Sequence, residues 1–277
     1  MLRQALSLCA TLAHAAPRTG FDATLQIEHG APAAPILAPG ALFGSFFEDF
    51  LHAGDGGVYA EKLSNRALAL PLSNASSFRC SGDVGSGLCP WYTEKGTVRR
   101  DDSVPLNDAV PHAMWLSGPS AIATNAGFPG GIAVKAGDTL ALSLFVYVKA
   151  GPVSLEARLV DGWGDVTLGS ATVVHAATNL PRWKEVKVEL KVQSSSGADG
   201  CRFQLRLTGG AGAEAGVSVI SLFPTETWMG RKNGLRTDVA AWLNETQPAF
   251  IRLPGGCYVE GTDLMTGGWF WKKTLGQ

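Results

Sequence analysis

An aromatic run from Leu42 to Phe50 closes on an acid, and this constrains the chain more than any other feature. Leu42-Phe43-Gly44-Ser45-Phe46-Phe47 has the composition of a strand buried on both faces. Pleating sets Gly44, Phe46 and Glu48 on one side and Phe43, Ser45 and Phe47 on the other. An ionised Glu48 at the end of such a strand is costly unless it is paired or meets a polar ligand. The strand is therefore expected to end either in a plain ion pair or in a ligand site. Gly54-Asp55-Gly56-Gly57 then breaks it, and Asp55 is expected to cap a helix carrying Tyr59, Glu61, Leu63 and Arg66. Strand, glycine loop and helix make the start of a βα unit, and βα barrels carry their functional groups at that end of the strand.

A second stretch answers the first. Leu235, Val239, Trp242 and Leu243 fall on one face of a helix over 234–243. Pro248 follows, and Ala249 to Leu253 reads as another buried strand. Phe250 and Arg252 share one side of it, Ile251 and Leu253 the other. Pro254 and the pair Gly255-Gly256 end the ladder. Arg252, like Glu48, is a charge at the exit of an apolar strand. If the two strands are parallel neighbours, Glu48 and Arg252 lie at one mouth.

Between these stretches the pattern changes. Short alternating segments at 140–148, 153–160, 171–175, 184–192, 201–207 and 216–222 are separated by Gly, Pro, Ser and Asn turns. That spacing predicts an all-β sandwich. Trp91, Tyr92, Trp115, Phe128 and Trp163 could stack on the flat face of a ligand, but packing in the interior is the first reading for each. Trp163, in the turn 161–165, is the one expected to be exposed.

Several classes are excluded. With 23 basic and 24 acidic residues, there is no electrostatic case for nucleic acid or an anionic membrane. No apolar run is long enough to span a bilayer. The histidines are scattered and the cysteines lack paired short spacing, so no metal site is expected. The Gly-Gly pairs lack a phosphate-binding context, and no cofactor is expected. Cys80 and Cys89 flank a glycine-rich loop and are candidates for a local disulfide, whereas Cys201 lies in an apolar strand. Residues 1–16 read as a signal peptide with an A-x-A cleavage pattern at Ala13-His14-Ala15. Asn74 and Asn244 begin glycosylation sequons. Phe21 to Glu28 alternates as a half-buried strand.

The segments 43–49, 52–61, 64–66, 228–236 and 252–261 resemble the α-L-arabinofuranosidases of glycoside hydrolase family 51, in their plant-like, eukaryotic form. Residues 127–134, 137–138 and 219–224 resemble the galactose-binding-like carbohydrate-binding module inserted in eukaryotic members. The resemblance implies an α/β plus all-β fold: the start of a (β/α)8 TIM barrel, incomplete here, with the β-sandwich inserted in it. The implied domains are the signal peptide (1–16), an N-terminal strand and first βα unit (17–71), the inserted sandwich (72–224), and a barrel helix with a second barrel strand (225–277).

It also implies a retaining glycosidase that uses two glutamates to release terminal non-reducing α-L-arabinofuranose from arabinan or arabinoxylan. Neither catalytic glutamate has a matching position, so no catalytic residue is assigned and the chain is expected to be inactive alone. Carried over as substrate-binding are Glu48, for the sugar hydroxyls; Arg252, which would support the nucleophile by charge pairing; and Gly256 and Cys257, lining the sugar subsite. Leu51 and Lys273 depart from the family pattern. The implied partner is an arabinose-containing plant or algal cell-wall polysaccharide, met outside the cell. A non-catalytic secreted carbohydrate-binding protein is the alternative.

Overall fold

A computed structural model describes residues 43–48, 52–69, 88–161 and 166–256. The expected leader, the strand at 21–28, Cys80, Asn74, Trp163 and Cys257 lie outside the described residues.

An eight-stranded antiparallel sheet dominates the molecule, built from β2 (Trp91–Asp101), β3 (Ala113–Asn125), β4 (Thr139–Ala150), β5 (Val153–Asp161), β6 (Thr167–Ala176), β7 (Leu180–Lys191), β8 (Cys201–Gly209) and β9 (Glu214–Pro224). Each of the six expected segments is a strand. The strand order is β6-β5-β8-β3-β9-β4-β7, with β2 alongside β3. Strand β3 serves both halves: Met114 to Ser117 pair with β9, and Ser120 to Asn125 pair with β8. Gly118, at φ +98°, lies between the two pairings, and its N–H donates to the Ala213 carbonyl. At the far side β6 approaches the end of β7, where the Gln193 N–H donates to the Leu168 carbonyl. Gly169 is needed there, since a Cβ would sit 2.4 Å from the Lys191 carbonyl oxygen. The sheet therefore curls almost closed.

Alternation fills the interior. Leu140, Leu142, Leu144, Val146 and Val148 of β4 point inward, as do Val153, Leu155, Ala157 and Leu159 of β5. Trp91 and Phe203 meet edge to face there, with ring centroids 6.0 Å apart. Strands β2 and β3 were not legible beforehand. The first is largely polar and exposed, and the second hides its period behind Gly118-Pro119.

The expected helix at 59–66, capped by Asp55, does not form. The segment runs in turns and extended backbone, with Asp55 in a bridge to Tyr59. Its backbone groups are bonded elsewhere. Lys62 N–H donates to Leu222 of β9, Ala60 N–H to Gly234, and Ile220 N–H donates back to Arg66. Those bonds replace the i to i−4 ladder that a helix requires.

A short helix, α1 (Thr237–Glu245), leads into β10 (Ile251–Arg252), which pairs in parallel with β1 (Ser45–Phe46). Both strands were expected to be buried on both faces. Instead Phe46 is 54% and Ile251 60% exposed. Among the described residues, no second layer covers these two strands of two residues. The apolar face of α1 is open as well, with Trp242 at 69% and only Ala240 buried.

Candidate functional site at the β1–β10 mouth

The parallel register sets Ser45 beside Ile251 and Phe46 beside Arg252. Three backbone hydrogen bonds lock it: Ser45 N–H to Phe250, Phe47 N–H to Arg252 and Ala249 N–H to Phe43. Registered neighbours share a face, so the pairing brings the two predicted charges together on one side of the ribbon.

That face is layered. At its base, Phe250 covers Gly44, where a Cβ would meet the ring at 2.4 Å. Next, the Arg252 guanidinium carbon lies 4.8 Å from the Phe46 ring centroid, a cation–π contact. Above it, the Glu48 carboxyl packs over Gly255, whose φ of +113° admits little but glycine. A Cβ on Gly255 would stand 2.6 Å from the Glu48 carboxyl carbon. Gly256 follows directly.

Among the described residues, no salt bridge joins Glu48 to Arg252. The plain ion pair that could have closed this end is therefore not what these charges form. Such a face suits a polyol: a carboxylate to accept from hydroxyls, a guanidinium to donate, and phenyl rings for the apolar face of a sugar. Sequence reasoning missed Phe46, Phe250 and Gly255. The alternation that grouped Phe46 with Glu48, and Phe250 with Arg252, was the signal that could have found them.

The 58–63 segment, bonded to Gly234 and Arg236 ahead of α1, is tied to β9 through Glu61, a buried acid at 4% exposure. One carboxylate oxygen accepts from the N–H groups of Lys62 (3.1 Å), Leu63 (3.1 Å) and Leu222 (2.8 Å), and the other accepts from the Ser221 hydroxyl. Burial pushes its pKa up, against these hydrogen bonds, which pull it down. Asn65 donates to the Leu88 and Cys89 carbonyls, and Asn125 donates to Ser64. Beyond Glu61, Arg236 N–H donates to Val58 and so joins the helix-bearing segment.

The aromatic candidates separate. Trp91 is core, and Phe128 packs on Gly56 and lies 5.5 Å from the His52 ring. Trp115 is buried in a cluster with Tyr147 and Trp183. Tyr92 stands on the outer face of the sheet, accepting from Arg202 at 2.9 Å. Burial pushes the Cys201 thiol up to about 12, which suits an inert core position. Cys89 is disulfide-bonded. Among the described residues there is no metal-binding cluster, and no helix is long and apolar enough to cross a membrane.

An arabinose-bound α-L-arabinofuranosidase of glycoside hydrolase family 51 superposes with a TM-score of 0.70 at 30% identity, over 84% of this chain and 37% of that one. The extracellular exo-α-L-arabinofuranosidase of Streptomyces chartreusis is 29% identical over 276 residues, 95% of this chain and 30% of the relative. α-L-Arabinofuranosidase 1 of Arabidopsis thaliana is 29% identical over 259 residues, covering 91% and 36%. No family model matches the chain. The chain is a homologue of the α-L-arabinofuranosidases, and it spans well under half the length of these relatives.

Proposed function

We propose that the chain supplies one wall of an arabinofuranose-binding site in a retaining α-L-arabinofuranosidase. In this reading β1, α1 and β10 belong to a (β/α)8 barrel, interrupted by a sandwich over 72–224. Glu48 accepts hydrogen bonds from the sugar hydroxyls, and Arg252 orients and charge-pairs with the nucleophile. Gly256 and Cys257 line the subsite. The two glutamates that carry out the displacement belong to later barrel strands, so the chain alone binds without turning over. The substrate is a terminal non-reducing α-L-arabinofuranosyl residue of an arabinan or arabinoxylan, met outside the cell.

The observation that carries this reading is the parallel register of Phe46 beside Arg252, which sets Glu48 and Arg252 on one face. The test uses the full chain. With a chromogenic α-L-arabinofuranoside, no release above blank is expected. Saturation-transfer NMR with L-arabinose should give a signal that Glu48→Gln and Arg252→Gln each remove. Hydrolysis abolished by Glu48→Gln would overturn the non-catalytic assignment. A sugar signal indifferent to both substitutions would overturn the site.

A further inference from the structure

The outer face of the sandwich carries a polar row that the fold does not need. Residues opposite the core in register run across five strands as Tyr92, Thr124, Gln204, Arg158 and Ser170, from β2 through β3, β8 and β5 to β6. Parallel to it runs Ile122, Arg206, Glu156 and Thr172. Gln204, at 4% exposure, is buried within the row. Its amide N–H donates to Glu94 at 2.8 Å, and Thr124 donates to the same carboxylate oxygen at 2.5 Å. The opposite end of that amide, Oε1, is buried with no hydrogen-bond partner, as is Nε of Arg206 in the next row.

Buried polar atoms of a native chain are nearly always bonded. Trp91 and Trp115 carry unmet indole N–H groups in the core, but Gln204 and Arg206 pair an unmet acceptor with an unmet charged donor on the outer sheet face, a combination a polar ligand could complete. The local charge says which ligand. Arg202 donates to the Tyr92 hydroxyl and Arg158 to the Thr167 hydroxyl, both neutral. Among the described residues, no salt bridge engages Arg158, Arg202 or Arg206. Glu94 is occupied by Thr124 and Gln204. Arg158, Arg202 and Arg206 thus outnumber the two carboxylates of these rows, Glu94 and Glu156, and none of the three guanidiniums is ion-paired beside the Gln204 Oε1 that lacks a donor.

We propose that this face is a second, non-catalytic glycan site, selective for sugar chains bearing uronic-acid residues. The sugar carboxylate accepts from the Arg206 and Arg158 guanidiniums, and a sugar hydroxyl donates to Gln204 Oε1. The proposal rests on the arabinofuranosidase reading only for the polysaccharide nature of the ligand, and it uses none of the residues at the β1–β10 mouth.

Isothermal titration of the full chain with oligogalacturonate, neutral arabino-oligosaccharide and polyacrylate separates the outcomes. Oligogalacturonate should bind, and Arg206→Gln should weaken it by about tenfold, the scale of one charge-assisted hydrogen bond. Arg206→Lys should restore part of the loss. Gln204→Met should weaken binding with an unchanged melting temperature; if it unfolds the sandwich, the Arg206 pair decides alone. Glu48→Gln should leave oligogalacturonate binding intact, so failure of the arabinose site and failure of this one are distinguishable. Equal affinity for the neutral oligosaccharide, equal binding of polyacrylate, or indifference to Arg206→Gln would each overturn the proposal.

Discussion

The curled eight-stranded sheet and the β1–β10 ribbon both contain apolar strands, yet only the sheet buries them. Phe203 of β8 is fully enclosed, whereas Phe46, Phe250 and Ile251 of the ribbon are more than half exposed. Burial comes from partners, not from composition. Each inward residue of β4 or β5 faces another part of the same nearly closed sheet, while the ribbon has two strands and, among the described residues, no second layer. The lesson is that apolar sequence measures what a strand demands, and topology decides whether the demand is met locally. Both faces of the ribbon stay open, and the register places Glu48 and Arg252 on one of them.

The widest gap should appear in core truncations. Phe203→Ala should cost about 3–5 kcal/mol in urea unfolding, whereas Phe250→Ala should stay within about 0.5 kcal/mol. Comparable losses at both positions would place the ribbon inside the cooperative core and break the contrast. Next is the joint between the two regions. Glu61→Ala leaves three backbone N–H groups and the Ser221 hydroxyl without their acceptor, at a cost of about 3 kcal/mol. Hydrogen exchange at Leu63 and Leu222 should quicken before that of β4 or β5. A smaller effect tests the mouth itself. Gly255→Ala should displace the Glu48 carboxyl and weaken L-arabinose binding by about tenfold with little change in unfolding, read by NMR titration.

The acid at the joint gives a pH signature. The folded pKa of Glu61 lies above its ordinary value of 4.5, because burial outweighs the hydrogen bonds that lower it. Folding thus favours the protonated acid. Its contribution is greatest below 4.5 and is lost as pH rises through the raised folded value. Urea midpoints should fall across the interval just above 4.5, and Glu61→Gln should flatten that slope. The smallest effect belongs to α1. Trp242→Ser should leave stability within about 0.5 kcal/mol while reducing binding of a hydrophobic dye, since Trp242 is already in solvent.

Reading the residues recovered what periodicity controls. The strands β4 to β9 announce themselves through period-two burial between turn residues. The two charged strand exits, Glu48 and Arg252, were legible as well, but that their strands are parallel neighbours was a condition the structure had to meet. Periodicity failed at 59–66, where Glu61 and the backbone bond across to β9 and to Gly234 rather than along a helix. It failed at β3, where Gly118-Pro119 interrupts the alternation of a strand shared by both halves of the sheet. Phe128, a candidate for sugar stacking, instead fills the space above Gly56, a contact no local pattern encodes. The row through Gln204 was also invisible, because its members come from five separate strands.

By itself, the sequence determined which residues alternate, where strands must stop, and that an acid and a guanidinium each end an apolar strand. Side-chain period and turn chemistry are local, so they can be read along the chain. Only the tertiary structure decided which strands neighbour one another, which faces are covered, and that Gly255 makes room for Glu48 while Phe46 takes Arg252. Those outcomes depend on contacts between residues some two hundred positions apart, set by sheet register and by which backbone groups find partners across the fold.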